Sequence, residues 1–431
     1  MTNITLITIK QPEIYLNVPS VVLNDQAIQQ RLRKVLQGMA RQNLDALVVY
    51  ADKEHGGNFE YLTGFIPRFE EGLLVLHKSG EAVLVLGNEN LKLAQYSRIP
   101  ASVVHAPWFS LPNQPMDTTL SLHGVLKQAG LSGQKRVGIA GWKLFTGSHD
   151  NNSLLFDIPT FIFQALQSAL TGNSELLNAT GLFVSPRDGA RIINNANEIA
   201  HYEYGANLAS GAALTALNAI EVGKTEKAIA ALLAAEGQAN NVVTIAVTGD
   251  RFENANLYPS DKQIQKGDKF SLTVSYKGGL TSRAAYVVSN ADELNAEVQD
   301  YVDVVAIPYY RAVVAWLENM RVGVKGHEVY DLIERVLPKA EYHWHLNPGH
   351  LVADEEWLCS PIYPASDISL ASGMLLQIDI IPSRKGYAGA SIEDTVALAD
   401  EALREQIKTD YPALWQRIRA RREYIRYVLH I

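Results

Sequence analysis

Apolar residues recur at helical spacing in DQAIQQRLRKVLQGMARQNLD (25–45), where Ile28, Leu32, Leu36 and Met39 share one face and predict an amphipathic helix. The pattern then changes. ALVVYA is a short, wholly apolar run that predicts a buried strand, and NFEYLTGF predicts a strand running into a turn. GLLVLHKSGEAVLVLG (72–87) predicts two strands joined at Lys-Ser-Gly, and strand and helix alternate again through RVGIAGW and IPTFIFQALQSAL. The first 175 residues thus predict an α/β domain, with no internal repeat or low-complexity tract.

The pattern from 176 to 431 differs. An alanine-rich helix opens at Asn197, Glu198 and Ile199 and ends by Gly223, and KTEKAIAALLAAEGQAN predicts a second helix capped by Thr225. NVVTIAVTGD predicts a strand, and KGDKFSLTVSYKGGLTSRAAYVVS (266–289) a hairpin reversing at Gly278-Gly279. Helices over ELNAEVQDYVDVVAIPYYRAVVAWLENM and KGHEVYDLIERVL follow, then strands in GMLLQIDIIPS and ASIEDTVALA and an arginine-rich terminal helix. This is an α+β arrangement of helices on an antiparallel sheet. The hairpin lacks carboxylates: none occurs between Lys269 and Asn290, and Arg283 stands in its second strand.

Composition narrows the function. A net charge of −8 gives no electrostatic reason to expect nucleic acid or an anionic membrane as partner. One cysteine, Cys359, excludes an intrachain disulfide and a cysteine-rich metal knuckle, and suits a reducing compartment. The amino terminus lacks the pattern of a signal peptide, and no apolar run approaches the ~20 residues of a membrane span. A cytoplasmic location is expected.

LDALVVYADKEHGGNFEYLTGF with LLVLHKSGEAVLVL, NANEIAHYEYGANLASGAALTALNAIEVGKTEKAIAALL, IQKGDKFSLTVSYKGG, HLNPGHL, GMLLQIDIIPS and GASIEDTVAL occur in one order over residues 27–400. Together they resemble the pita-bread family of creatinase, prolidase, aminopeptidase P and methionine aminopeptidase. The resemblance implies a creatinase/prolidase-like amino-terminal domain (1–175), a pita-bread carboxy-terminal domain (176–431) and a homodimer.

It also implies a place for chemistry. In the family's peptidases two Asp on the hairpin, one His and one Glu on each of the last two strands hold two divalent ions, which activate a hydroxide and polarise the scissile carbonyl. At the corresponding positions stand Thr273 for the first Asp and one of Ser282, Arg283 or Ala284 for the second. His350 matches the His ligand, Asp379 stands for the first Glu and Glu393 matches the second. Two further family histidines are replaced by Asn256 and Trp357. The dinuclear centre is therefore expected to be absent, with no cofactor. If a single ion remained, His350, Asp379 and Glu393 would hold it.

The expected catalytic group is His350, Asp379 and Glu393, with His350 either a general base or a structural histidine. Arg283 is expected either to clamp a substrate carboxylate or to pair internally with Asp379 or Glu393. Asn256, Tyr258 and His343 are expected to line the same cleft. DEEW (354–357) reads as a polar loop. The resulting expectation is a metal-independent hydrolase or lyase acting on a small amino-acid-like molecule or short peptide. The alternatives are an inactive pseudo-peptidase that binds a peptide or protein in the old cleft, and a mononuclear-metal aminopeptidase.

Overall fold

The computed structural model describes residues 4–170, 172–254 and 257–431. The chain divides into two compact units, Leu23–Ile192 and Met1–Val22 with Ile193–Ile431. Among the described residues no helix is long and apolar enough to cross a membrane.

The Leu23–Ile192 unit contains α1 (Asp25–Arg41), β1 (Ala46–Ala51), α2 (Gly57–Thr63), β2 (Gly72–His77), β3 (Ala82–Leu86), β4 (Ser102–His105), α3 (Leu122–Leu126), β5 (Arg136–Ala140), α4 (Thr160–Ala169), β6 (Glu175–Asn178) and α5 (Gly181–Val184). Six strands form one mixed sheet in the order β4-β3-β2-β1-β5-β6. Alternation along the strands sends Val48, Val75, Val83 and Ile139 to one face, where they pack with Val125 and Leu126 of α3 and Ile162 and Leu166 of α4. β6 pairs in parallel with β5, and the compact unit extends to Ile192. NFEYLTGF is a helix, not a strand. Phe59, Tyr61, Leu62 and Thr63 are all buried, and Gly64 closes the helix at φ 76°. The β-rich composition did not decide the local structure here.

The other unit contains α6 (Ala196–Asn218), α7 (Glu226–Ala230), β7 (Ile245–Thr248), α8 (Asp250–Glu253), β8 (Lys269–Tyr276), β9 (Gly279–Tyr286), α9 (Ile307–Asn319), α10 (Gly326–Val336), α11 (Lys339–Tyr342), β10 (His350–Leu351), β11 (Leu375–Gln377), β12 (Ser391–Glu393), β13 (Thr395–Ala397), α12 (Glu401–Asp410) and α13 (Pro412–Tyr427). A capping box starts α6, Asn195 accepting from Glu198 N–H while the Glu198 carboxylate accepts from Asn195 N–H. Thr225 caps α7 as expected, but that helix is short. Regular helix begins only at Ile307 in the third long segment, with Pro308 in its first turn.

Four antiparallel strands form the sheet β12-β9-β8-β7, and three more form β10-β11-β13. Phe270, Leu272 and Val274 on one face of β8 pack against Leu208, Ala209, Ala212 and Ala216 of α6. The other face carries Ser271, Thr273 and Ser275. Tyr276 pairs with Gly279, so the chain reverses at Lys277-Gly278, one residue earlier than expected. Two glycines seat this turn on α6. A Cβ on Gly205 would lie 1.9 Å from the Lys277 carbonyl oxygen, and Gly278, at φ 98°, would place one 2.2 Å from the Tyr202 carbonyl oxygen.

Candidate active site

The strand register decides which side chains share the polar face of the hairpin. Thr273 pairs with Ser282, and Ser282 with Glu393 of β12, so these three form one row across the sheet. Thr273 Oγ1 donates to Ser282 Oγ at 2.8 Å. Both are buried. In the neighbouring sheet Gln377 pairs with His350 on one side and Thr395 on the other. Thr395 Oγ1 donates to Gln377 Oε1 at 2.6 Å, and Gln377 Nε2 donates to the Leu280 carbonyl at 2.8 Å, tying this sheet to the hairpin. Asp379 lies two residues beyond Gln377.

His350 has no exposed surface. Its Nδ1–H donates to the Leu351 carbonyl at 3.2 Å, while Nε2 points at carboxylates: Glu356 Oε1 at 3.0 Å and Asp379 Oδ2 at 3.8 Å. The short Nε2 contact is off-line for a hydrogen bond, and Asp379 Oδ1 is buried with no hydrogen-bond partner. Trp357 stacks on the imidazole with ring centroids 4.1 Å apart and 21° between planes. Burial pushes the Asp379 carboxyl up to about 6; the imidazole of His350 pulls it down and Glu356 raises it again. Burial also lifts Glu393 well above the ordinary carboxylate range, helped by Asp379 and Glu356, although Ser391 Oγ donates to it at 3.1 Å. The buried Tyr309 hydroxyl is likewise raised by burial and accepts from Ile392 N–H at 2.7 Å.

Asp379 and Glu356 thus lie beside His350, and Glu393 is close enough to both carboxylates to feel their charge. Glu356 was missed because DEEW has the composition of a solvated loop. No sequence signal marked it; in the structure Leu351 N–H donates to Cys359 O and Leu358 N–H to Leu351 O, folding the loop back over His350.

Other expected residues lie elsewhere. Arg283 is opposite Leu272 and Ile392, so it leaves the sheet on the face away from Glu393. It pairs with Asp394 Oδ2 at 2.7 Å and donates to the carbonyls of Ser282 and Glu393, rather than to the Asp379 or Glu393 carboxylate. Tyr258 is 70% exposed, and His343 is an exposed residue at φ 50° closing α11. Asn256 lies outside the described residues. Among the described residues no group of three or more His, Cys, Asp or Glu is placed to hold a metal ion.

Comparison with known proteins gives two adjoining matches: residues 31–188 match the Creatinase/Prolidase N-terminal domain, and residues 202–400 match Metallopeptidase family M24. No curated protein sequence matches the chain. Several solved structures share its fold. The prolidase from Pyrococcus horikoshii OT3 is 20% identical with a TM-score of 0.65, covering 86% of this chain and 95% of its own. The Xaa-Pro dipeptidase from Bacillus anthracis is 18% identical at 0.64, covering 87% and 96%. A dipeptidase from Mycobacterium ulcerans is 20% identical at 0.65, covering 88% and 94%.

Proposed function

Because the chain belongs to the pita-bread family of creatinase, prolidase and aminopeptidase P, we propose that it is a divergent hydrolase or lyase of small amino-acid-like or short peptide substrates, working without the dinuclear metal centre. The observation that carries this reading is the buried contact of His350 with Glu356 and Asp379. With Nδ1 bonded to the Leu351 carbonyl and Nε2 facing carboxylates, the ring can exchange a proton with Glu356, whose side chain is 20% exposed and is the group able to pass it to or from a reacting C–N bond. Asp379 and Glu356 orient the ring, and Glu393 balances charge. Donor chemistry supports metal independence. Thr273 and Ser282 present hydroxyls, bonded to each other, in the row where a two-ion centre needs carboxylates. Asp394, which follows Glu393, is engaged by Arg283. These residues do not fit a two-ion centre.

A second reading, a non-catalytic descendant that binds a peptide or protein, is favoured by one feature: Trp357 lies directly over His350, which has no exposed surface. Either form is proposed to be a cytoplasmic homodimer.

Chelator-treated protein assayed on Xaa-Pro dipeptides and on guanidino or betaine-like amino acids separates the readings. Turnover abolished by His350→Gln supports the enzyme. Peptide retention without turnover supports the binder. Turnover that returns only on adding Mn²⁺ rules out metal independence.

A further inference from the structure

Asp354 is where three distant parts of the chain converge. Its Oδ2 accepts from the Tyr202 hydroxyl of α6 at 3.1 Å, and its Oδ1 lies 3.7 Å from Lys277 Nζ in the hairpin turn. Its carbonyl accepts from Asn241 Nδ2 at 2.9 Å, and Gly278 N–H donates to the adjoining Ala353 carbonyl at 2.8 Å. The tip of the 352–358 loop is therefore held by α6, the hairpin turn and the approach to β7. Its base is closed by the Leu351 and Leu358 hydrogen bonds. Two residues beyond Asp354 comes Glu356, whose side chain is 20% exposed and reaches His350 Nε2. Trp357 follows and covers the ring.

We propose that Asp354 is a positioning residue. By latching the loop to Tyr202 and Lys277 it sets Glu356 as the orienting partner of His350, so that the hairpin turn and the proton-moving group are one mechanical assembly. Glycine at 205 and 278 is part of that assembly, since side chains there would lift the turn from α6 and carry the latch with it. The inference rests on the reading of His350 as the proton-moving residue.

The test reads the ring nitrogens of His350 by NMR in full-length protein labelled with ¹⁵N-histidine, the signal being assigned with His350→Gln. Glu356→Gln is expected to shift the His350 ring signals and leave the other ten histidines unchanged. Asp354→Asn, and independently Tyr202→Phe, should shift the same signals in the same direction without touching the ring. Wild-type His350 signals in both latch variants would make Asp354 a loop anchor only and overturn the proposal, whatever their melting temperatures. Unshifted signals in Glu356→Gln would leave Asp379 as the sole partner and overturn it equally. No turnover is measured, so a protein inactive on every substrate defeats the enzyme reading while these signals still judge the latch.

Discussion

Replacing Asp379 by Asn should stabilise the protein at neutral and alkaline pH. The carboxyl is 4% exposed and one of its oxygens lacks a hydrogen-bond partner. Burial raises it from 3.8 to about 6. A raised acid holds its proton more tightly in the folded chain. It is therefore neutral for stability at strongly acid pH, a growing cost as pH climbs through that interval, and a constant cost above it. A rise of that size corresponds to roughly 3 kcal/mol. The amide gives up some attraction to His350, so a net gain on the order of 1–3 kcal/mol remains. Urea unfolding of both proteins at about pH 8 and about pH 4 measures it, the midpoint shift being converted with a common slope. The gain should appear at the higher pH and vanish at the lower. A variant less stable than wild type at the higher pH would refute the reasoning, and a wild-type stability that falls on chelation would show that a bound cation neutralises the acid.

Installing Thr273→Asp with Ser282→Asp puts two carboxylates in the row with Glu393 and should create divalent-ion binding measurable by titration calorimetry; wild type should hold well under one equivalent, and two equivalents in wild type would end the metal-free reading. Glu226 is fully buried and accepts from Thr248, Ser260 and Arg251. Although burial pushes its carboxyl up, the hydrogen bonds from Ser260 and Thr248 outweigh that and hold it below the ordinary range. Glu226→Gln should thus cost about 2–4 kcal/mol in chemical denaturation at neutral pH. Its contribution is present above the ordinary carboxylate range and lost as pH falls through the lowered folded value, so the difference between the two proteins should shrink in acid. Gly205→Ala should lower stability by about 3 kcal/mol in calorimetry, because its Cβ meets the Lys277 carbonyl oxygen, a backbone atom. Arg283→Gln should leave ligand affinity unchanged while destabilising the sheet, since its partner Asp394 lies on the other face; a specific loss of affinity for carboxylate-bearing ligands would restore the clamp.

Much of the architecture was written locally. Alternation in FSLTVSY fixes which hairpin face meets α6, and Asn195 with Glu198 starts that helix by a bond spanning three residues. Such signals act within one turn or one strand pair, so they survive without knowledge of the rest. That the hairpin carries no carboxylate between Lys269 and Asn290 was also legible, because it is a matter of composition alone. What the chain order could not supply was partnership across long separations. Arg283 meets Asp394 instead of Asp379 or Glu393 because the pairing of β9 with β12, more than a hundred residues on, sets which face each occupies. NFEYLTGF is helical, with Phe59, Tyr61, Leu62 and Thr63 buried against the rest of the unit, contrary to the preference of its residues. Glu356 looked like loop surface until the closure of Leu351 on Cys359 turned it onto His350. Composition and short-range hydrogen bonding determined the elements; register between distant strands decided which side chains meet.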